Sequence, residues 1–205
     1  MKMINFKKML FASLTIIALA GCTQDDDYKI AAFTPLLFTE DFPSTDGLDN
    51  TVLNLTDWKN FAQTGTVVWK NQIYQGNGYA EFTSYQAPDA VSVGWLISPP
   101  IDMDANDGEK LVFQSSQSYV SSAANKLEVL ISTDYDGTNF ATATWLPLQA
   151  NLPTRDATYF LFQESGIIDL SFYTGNAYVA FKVTGSGTNT TLDGSYQIDN
   201  VRVYY

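Results

Sequence analysis

The chain is 205 residues long with 11 basic and 22 acidic residues, a net charge of −11, no histidine and one cysteine. That composition rules out a disulfide within the chain, and it removes both the usual proton shuttle near neutral pH and the commonest zinc ligand. Lys2, Lys7 and Lys8 lie in a leader without acids, so the part after Cys22 carries 8 basic against 22 acidic residues, −14, and repels nucleic acid and anionic membrane surfaces.

Residues 1–21 have a basic start, an apolar run from Met9 to Ala20 and a small-residue end. This is the pattern of a secretory signal peptide, with a run too short to span a bilayer. Leu19-Ala20-Gly21-Cys22 resembles a bacterial lipobox, which implies cleavage before Cys22, lipid attachment to it and an anchor in the outer membrane. The acidic run Thr23-Gln-Asp-Asp-Asp-Tyr28 is a solvated tether. It also resembles the export signal of surface lipoproteins in the Bacteroidetes, which implies a domain facing the outside of the cell. The expected layout is a signal peptide over 1–21, a lipidated cysteine and tether over 22–37 and one domain over 38–205.

From Phe38 onward, short β-rich runs recur between Gly, Asn, Asp, Ser and Pro clusters, and no window carries a 3.6-residue apolar stripe. Strands are expected at 37–42, 67–71, 79–85, 93–97, 110–119, 126–132, 145–148, 158–163, 167–171, 178–184 and 195–204. That number of strands predicts an all-β chain, a two-sheet antiparallel β-sandwich of jelly-roll-like kind. Residues 46–58 read as a loop covering one end, with Trp58 returning to the core. In the last stretch the apolar positions step from Tyr196 and Ile198 to Val201, Val203 and Tyr205, which places a bulge at Asp199 and Asn200. This terminal strand is expected to pair with Leu37 to Phe42 and so to gather Glu40, Asp41 and Asp199 at one corner.

Such a corner is a candidate calcium site, because calcium takes six to eight oxygens from converging segments. The competing reading makes Glu40 and Asp41 edge charges and Asp199 a turn-capping side chain. Two other acidic stretches, Asp102 to Gly108 and Asp134 to Thr138, read as turns; the first lacks the bidentate Glu of a calcium loop. For ligand binding the candidate face is Tyr79, Glu81, Thr83 and Tyr85, which period-two geometry sets opposite Ala80 and Phe82. Two aromatic plates flanking a carboxylate and a hydroxyl suit a sugar ring, and Gln86, Gln117 and Tyr119 extend that surface if their strands are neighbours. Its alternative is ordinary coverage of the sheet by the 46–58 loop. The four tryptophans, Trp58, Trp69, Trp95 and Trp145, are expected in the core. Enzymatic chemistry would rest on carboxylates alone, and the Glu-x-Asp-x-x-Glu pattern of sandwich glucanases is absent around every Glu, so a non-catalytic domain is expected.

The succession Thr39-Glu-Asp-Phe42, Trp58-Lys-Asn60, Asn77-Gly-Tyr-Ala80, Gly94-Trp-Leu-Ile-Ser-Pro99 with Ile101-Asp102, Leu127 to Asp134, Tyr178-Val-Ala-Phe181 and Ile198-Asp-Asn-Val201 resembles the choice-of-anchor J domain. That group is related to the cleaved adhesin domains found beside secreted bacterial proteases. The resemblance runs from Phe38 to Tyr205. It implies a jelly roll, often braced by structural calcium, in surface proteins of adhesion or binding, and it implies no common activity. The expected partner is an extracellular glycan, or an envelope protein met through a sheet edge, with the membrane touched only through the lipid anchor and no nucleic acid. A carboxylate-dependent glycoside hydrolase is the third alternative.

Overall fold

A computed structural model describes residues 34–205 apart from Asp46; the expected signal peptide, Cys22 and the tether up to residue 33 lie outside the described residues. In chain order the strands are β1 (Leu36–Glu40), β2 (Thr51–Val52), β3 (Lys59–Thr64), β4 (Lys70–Tyr74), β5 (Asn77–Thr83), β6 (Ser92–Ile97) and β7 (Ile101–Asp102). They continue as β8 (Lys110–Ser118), β9 (Lys126–Ser132), β10 (Leu146–Pro147), β11 (Gln163–Glu164), β12 (Ile168–Asp169), β13 (Asn176–Gly185) and β14 (Ser195–Tyr204). They form the two antiparallel sheets of a jelly-roll-like sandwich. One runs β11-β8-β14-β5-β4-β2 with β1 added on β14 and β12 on β8, and the other runs β10-β9-β13-β6-β3 with β7 on β13.

The terminal strand organises the first sheet. Its opening half lies between β5 and β8, with Gln197 opposite both Glu81 and Ser116. After a break in register between Asp199 and Arg202, β1 takes the place of β5, pairing Phe38 with Val203 and Glu40 with Val201. Asn200 sits at φ 52°, the left-handed conformation that Asn tolerates better than most residues. The bulge thus re-aims the strand and hands it from one neighbour to the other.

Between the sheets lies a core in which Trp69, Phe82, Phe113, Phe181, Leu96 and Ile198 are fully buried. Gly94 of β6 faces this core where the Phe82 ring of the opposite sheet presses against it, so any side chain there would collide. A second, smaller apolar cluster of Trp95, Ile97, Leu130, Tyr135 and Ala180 lies on the outer face of the β6-containing sheet.

The structure redraws several sequence-expected elements. The strand expected at 158–163 is a turn with only Gln163 and Glu164 paired, because Phe160 adopts φ 58° and donates its N–H to Gln117 O instead of extending the chain. The strand expected from Val67 begins at Lys70. Ahead of it, the Asn60 side chain accepts from Trp69 N and donates to Trp69 O, which also accepts from Leu53 N, so a side chain takes the place of a strand partner for the Trp69 N–H. The stretch 46–58 holds the short β2, paired with β4, and the polar run Lys59–Thr64 is a strand because β6 supplies its partner, Phe61 lying opposite Trp95. Trp58 is buried, as expected.

Candidate functional site

Within β5 the expected alternation holds: Ala80 and Phe82 are wholly buried in the core, while Tyr79, Glu81 and Thr83 point to the opposite face and are half-buried. Strand register lays a polar row across that outer face, Lys70, Glu81, Gln197 and Ser116 on four consecutive strands. It is closely wired. Ser116 Oγ donates to Gln197 Oε1 at 2.7 Å, and Gln197 Nε2 donates to Glu81 Oε2 at 2.8 Å and to Ser118 Oγ at 3.2 Å. Gln72 Nε2 donates to the other Glu81 oxygen at 3.3 Å. Burial pushes the Glu81 carboxyl above its ordinary pKa despite those donors, and burial followed by the Glu81 charge pushes the Tyr79 hydroxyl up to about 12. Tyr79 is no free plate, since its ring meets Phe162 edge-on at 5.6 Å.

Tyr85 stands apart from the other three. The strand ends at Thr83, whose Oγ1 accepts from Tyr85 N, and Tyr85 enters the following turn 63% exposed. Tyr119 leaves β8 at the same end of the sheet, since Thr83 and Ser118 flank Ser195 on either side. Against Tyr119 lie Tyr159 at 4.8 Å and Phe160 at 6.4 Å between ring centroids. These three rings are each about half exposed or more, so together with Tyr85 they give that end of the polar row an aromatic ridge open to solvent.

Tyr119 and Phe160 both hold positive φ, 59° and 58°, a conformation costing bulky residues on the order of 1–3 kcal/mol each. Gln117 holds both in place. Its Oε1 accepts from Val120 N at 3.1 Å, its Nε2 donates to Ala157 O at 2.7 Å and its main-chain oxygen accepts from Phe160 N at 2.9 Å. Gln117 is fully buried, so it positions the ridge rather than joining its surface as the sequence suggested. Tyr159, Phe160 and Phe162 were missed by sequence reading because Thr158 to Gln163 looked like a strand. The available signal was that aromatic or aliphatic residues occupy both parities of that run, which a one-sided strand has no use for.

At the opposite end of β5 the termini meet as expected. Asp199 accepts from Asn77 Nδ2 at 2.9 Å and from Asn200 N at 2.7 Å, Glu40 Oε1 accepts from Phe42 N at 2.8 Å, and Asp41 lies 3.7 Å from Arg202. Burial raises the pKa of both Glu40 and Asp199, and the Asp41 charge raises each further. Gly78 is required here because Phe42 O and Pro43 O cross directly over its α-carbon. Among the described residues no three acidic or cysteine side chains are grouped as a metal cage. The corner is acidic, with Asp41 facing Arg202, and holds no preformed metal geometry among the described residues. Asn77, unremarked in the sequence except within a motif, is its fourth polar member.

The two other acidic stretches bind backbone N–H groups, their own and that of Gly175. Asp102 Oδ1 accepts from Asp104 N and Asp104 Oδ1 from Gly175 N, while Asp136 Oδ1 accepts from Thr138 N and Asn139 N, which lowers the Asp136 pKa. Of the tryptophans, Trp58 and Trp69 lie in the central core as expected, whereas buried Trp95 and half-buried Trp145 lie together on the outer face of the second sheet.

No protein-family profile matches the chain, and no curated protein does. Among solved structures it is similar to the K2 cleaved adhesin domain of Lys-gingipain, at 16% identity and a TM-score of 0.51 over 82% of this chain and 98% of that one. It is likewise similar to the K3 cleaved adhesin domain of Lys-gingipain from Porphyromonas gingivalis, at 18% identity and a TM-score of 0.50 over 83% of this chain and all of that one. At such identities the likeness is one of fold, and it places this chain in the same sandwich architecture as those domains.

Proposed function

We propose that this chain is a non-catalytic, glycan-binding adhesin-type domain, carried on the cell surface by a lipid at Cys22 in the outer membrane. The observation that carries this reading is the solvent-open ridge of Tyr85, Tyr119, Tyr159 and Phe160 at the end of a buried polar row. Aromatic faces offer apolar area at low entropic cost, and the hydroxyl groups of the exposed Tyr85, Tyr119 and Tyr159 give the ridge polar tips for sugar hydroxyls, while the buried row beneath braces the sheet. Glu81 serves as a hydrogen-bond acceptor here and not as an acid catalyst, since both its oxygens are held by amides. The sandwich shared with domains named as adhesins supports the same reading, as does the sequence resemblance to the choice-of-anchor J group.

Calcium at the Glu40, Asp41 and Asp199 corner belongs to this proposal as a structural brace. Its role would be to offset three like charges where β1 meets β14, with no part in binding chemistry. The anchor is tested separately: labelled fatty acid should enter the wild-type chain and fail to enter Cys22→Ala.

A glycan array of the purified chain, run with calcium and again with chelator, tests the main reading. Selective binding to a glycan class that disappears in Tyr119→Ala supports it; absence of binding by folded protein contradicts it. A second reading, docking of an envelope protein on a sheet edge, draws on Ile167 and Phe172, which are 69% and 84% exposed on either side of the edge strand β12. Recovery of one stoichiometric partner, unaffected by sugars and lost in Phe172→Ser, would favour that alternative.

A further inference from the structure

The second sheet ends differently on its two sides. One edge is the two-residue β10, whose Pro147 has no N–H to offer a neighbour. The other is β3, six residues long and paired with β6 alone. Along the far rim of β3 no described residue bonds to its main chain. The bulge after Ala62 limits the regular part to residues 59–62, about 13 Å at 3.3 Å per residue, and over that length the rim presents N–H and C=O groups at the spacing of a missing strand.

Beside this rim lies a groove of about 600 Å³, between residues 59–61 and residues 52–55. That volume is within the range of ligand sites, about 300–1,000 Å³. The apolar lining grades from buried Leu53, Trp58 and Leu96 through half-buried Leu55 and Phe61 to exposed Val52. No carboxylate lines the groove, and its single charged residue is Lys59. Lys59 also differs from the other cations of the described residues. Lys126, Lys182, Arg155 and Arg202 each lie within 4 Å of a carboxylate, and Lys70 and Lys110 donate to Asn50 Oδ1 and Gly108 O, whereas Lys59 has no such partner among the described residues. An edge lysine alone deters stray pairing; here the apolar lining next to it opposes that effect and narrows which strand can pair.

We infer that β3 is a docking edge for an extended peptide segment of another protein, which adds a strand to residues 59–62, lays apolar side chains in the groove and sets one acidic side chain against Lys59. Main-chain bonds would supply the attachment, and the groove and the lysine the selectivity. A second copy of this chain fits poorly, because its own edge, Lys59–Thr64, carries no acid and two chains of net charge −11 repel. This edge is distinct from the one flanked by Ile167 and Phe172, and it shares no residue with the tyrosine ridge, so the inference stands or falls apart from both readings of function.

A random decapeptide display library is panned on the purified chain, and enriched peptides are titrated by fluorescence polarisation. Enriched sequences should carry apolar residues at alternate positions with an Asp or Glu among them, and binding should slow amide hydrogen exchange within 59–64. Lys59→Glu, a change at an exposed side chain, should weaken binding about tenfold or more, and replacing the peptide acid by Lys should restore it. Val52→Glu should also weaken binding, while Tyr119→Ala and Phe172→Ser should leave it unchanged. The inference is overturned if no peptide is enriched, if the added protection lies outside 59–64, if Lys59→Glu and Val52→Glu bind as well as the wild type, or if the chain dimerises through this edge in sedimentation.

Discussion

Gln117 and Tyr119 are two positions apart in β8 and its exit, yet the structure gives them opposite duties. Tyr119 offers its ring to solvent, so Tyr119→Ala should weaken glycan binding about tenfold or more while leaving the melting temperature nearly unchanged. Gln117→Ala would strand buried donors and acceptors around the 157–160 turn. It should destabilise by about 1–3 kcal/mol and weaken binding as a consequence, which thermal melts and titration read together. Tyr79→Ala belongs with Gln117, because its ring is packed on Phe162. The sequence identified the outward parity of Tyr79, Glu81 and Thr83 correctly. It was silent on the depth at which each group lies, because depth is set by Phe162 and by residues of β14, which are distant in sequence. Titration follows from that depth. Glu40, Glu81 and Asp199 have folded pKa values raised by burial, so the folded state holds their protons more tightly than the unfolded chain. Their contribution to stability is greatest below the unfolded values and is lost as pH rises through the folded ones. In metal-free buffer the chain should therefore melt higher near about pH 5 than at pH 7, and Glu81→Gln should reduce that slope.

At the scale of the strand, the alternation of β5 and the parity switch in β14 were readable because each has one face in the core and the bulge lies between two clean periods. The pairing of β1 with β14 was readable too, since both end the domain and both are β-rich. Lys59 to Thr64 was not, because its strand character comes from the edge of β6 and not from its own composition. Phe61, its one large apolar residue, is half-buried on the outer face opposite Trp95, away from the central core. Packing between sheets also leaves single positions with no latitude. Gly94→Ala would drive a methyl group into the Phe82 ring across the core, and we expect a loss of about 1–3 kcal/mol in denaturant melts, relieved in part by Phe82→Leu. The terminal corner has its own test. Calcium should raise the melting temperature at pH 7 and do so less as pH falls toward the raised pKa values of Glu40 and Asp199, and Asp199→Asn should remove most of the gain. Equal melting in calcium and chelator at pH 7 would remove the metal from the account.

At the largest scale, the described domain is a sandwich with a dressed surface on each side. One sheet shows a wired polar row ending in tyrosines and phenylalanine, and the other shows an apolar groove along its open edge strand. Sandwich architecture was legible from strand count and turn chemistry, and the ridge in part, through Tyr85 and Tyr119. The groove was not, since residues 52–55 read as part of a covering loop, and only the folded chain sets them beside the edge of β3. A strongly acidic domain would meet neutral glycans without electrostatic steering, so binding should change little between low and moderate salt. The most direct test of the central claim is a calorimetric titration of the array-selected glycan into the wild type and into a Tyr119→Ala, Tyr159→Ala double variant, each shown to melt at the same temperature. The account predicts saturable binding to the first and none measurable to the second. Equal binding by both would contradict it, because the ridge would then be surface with no ligand.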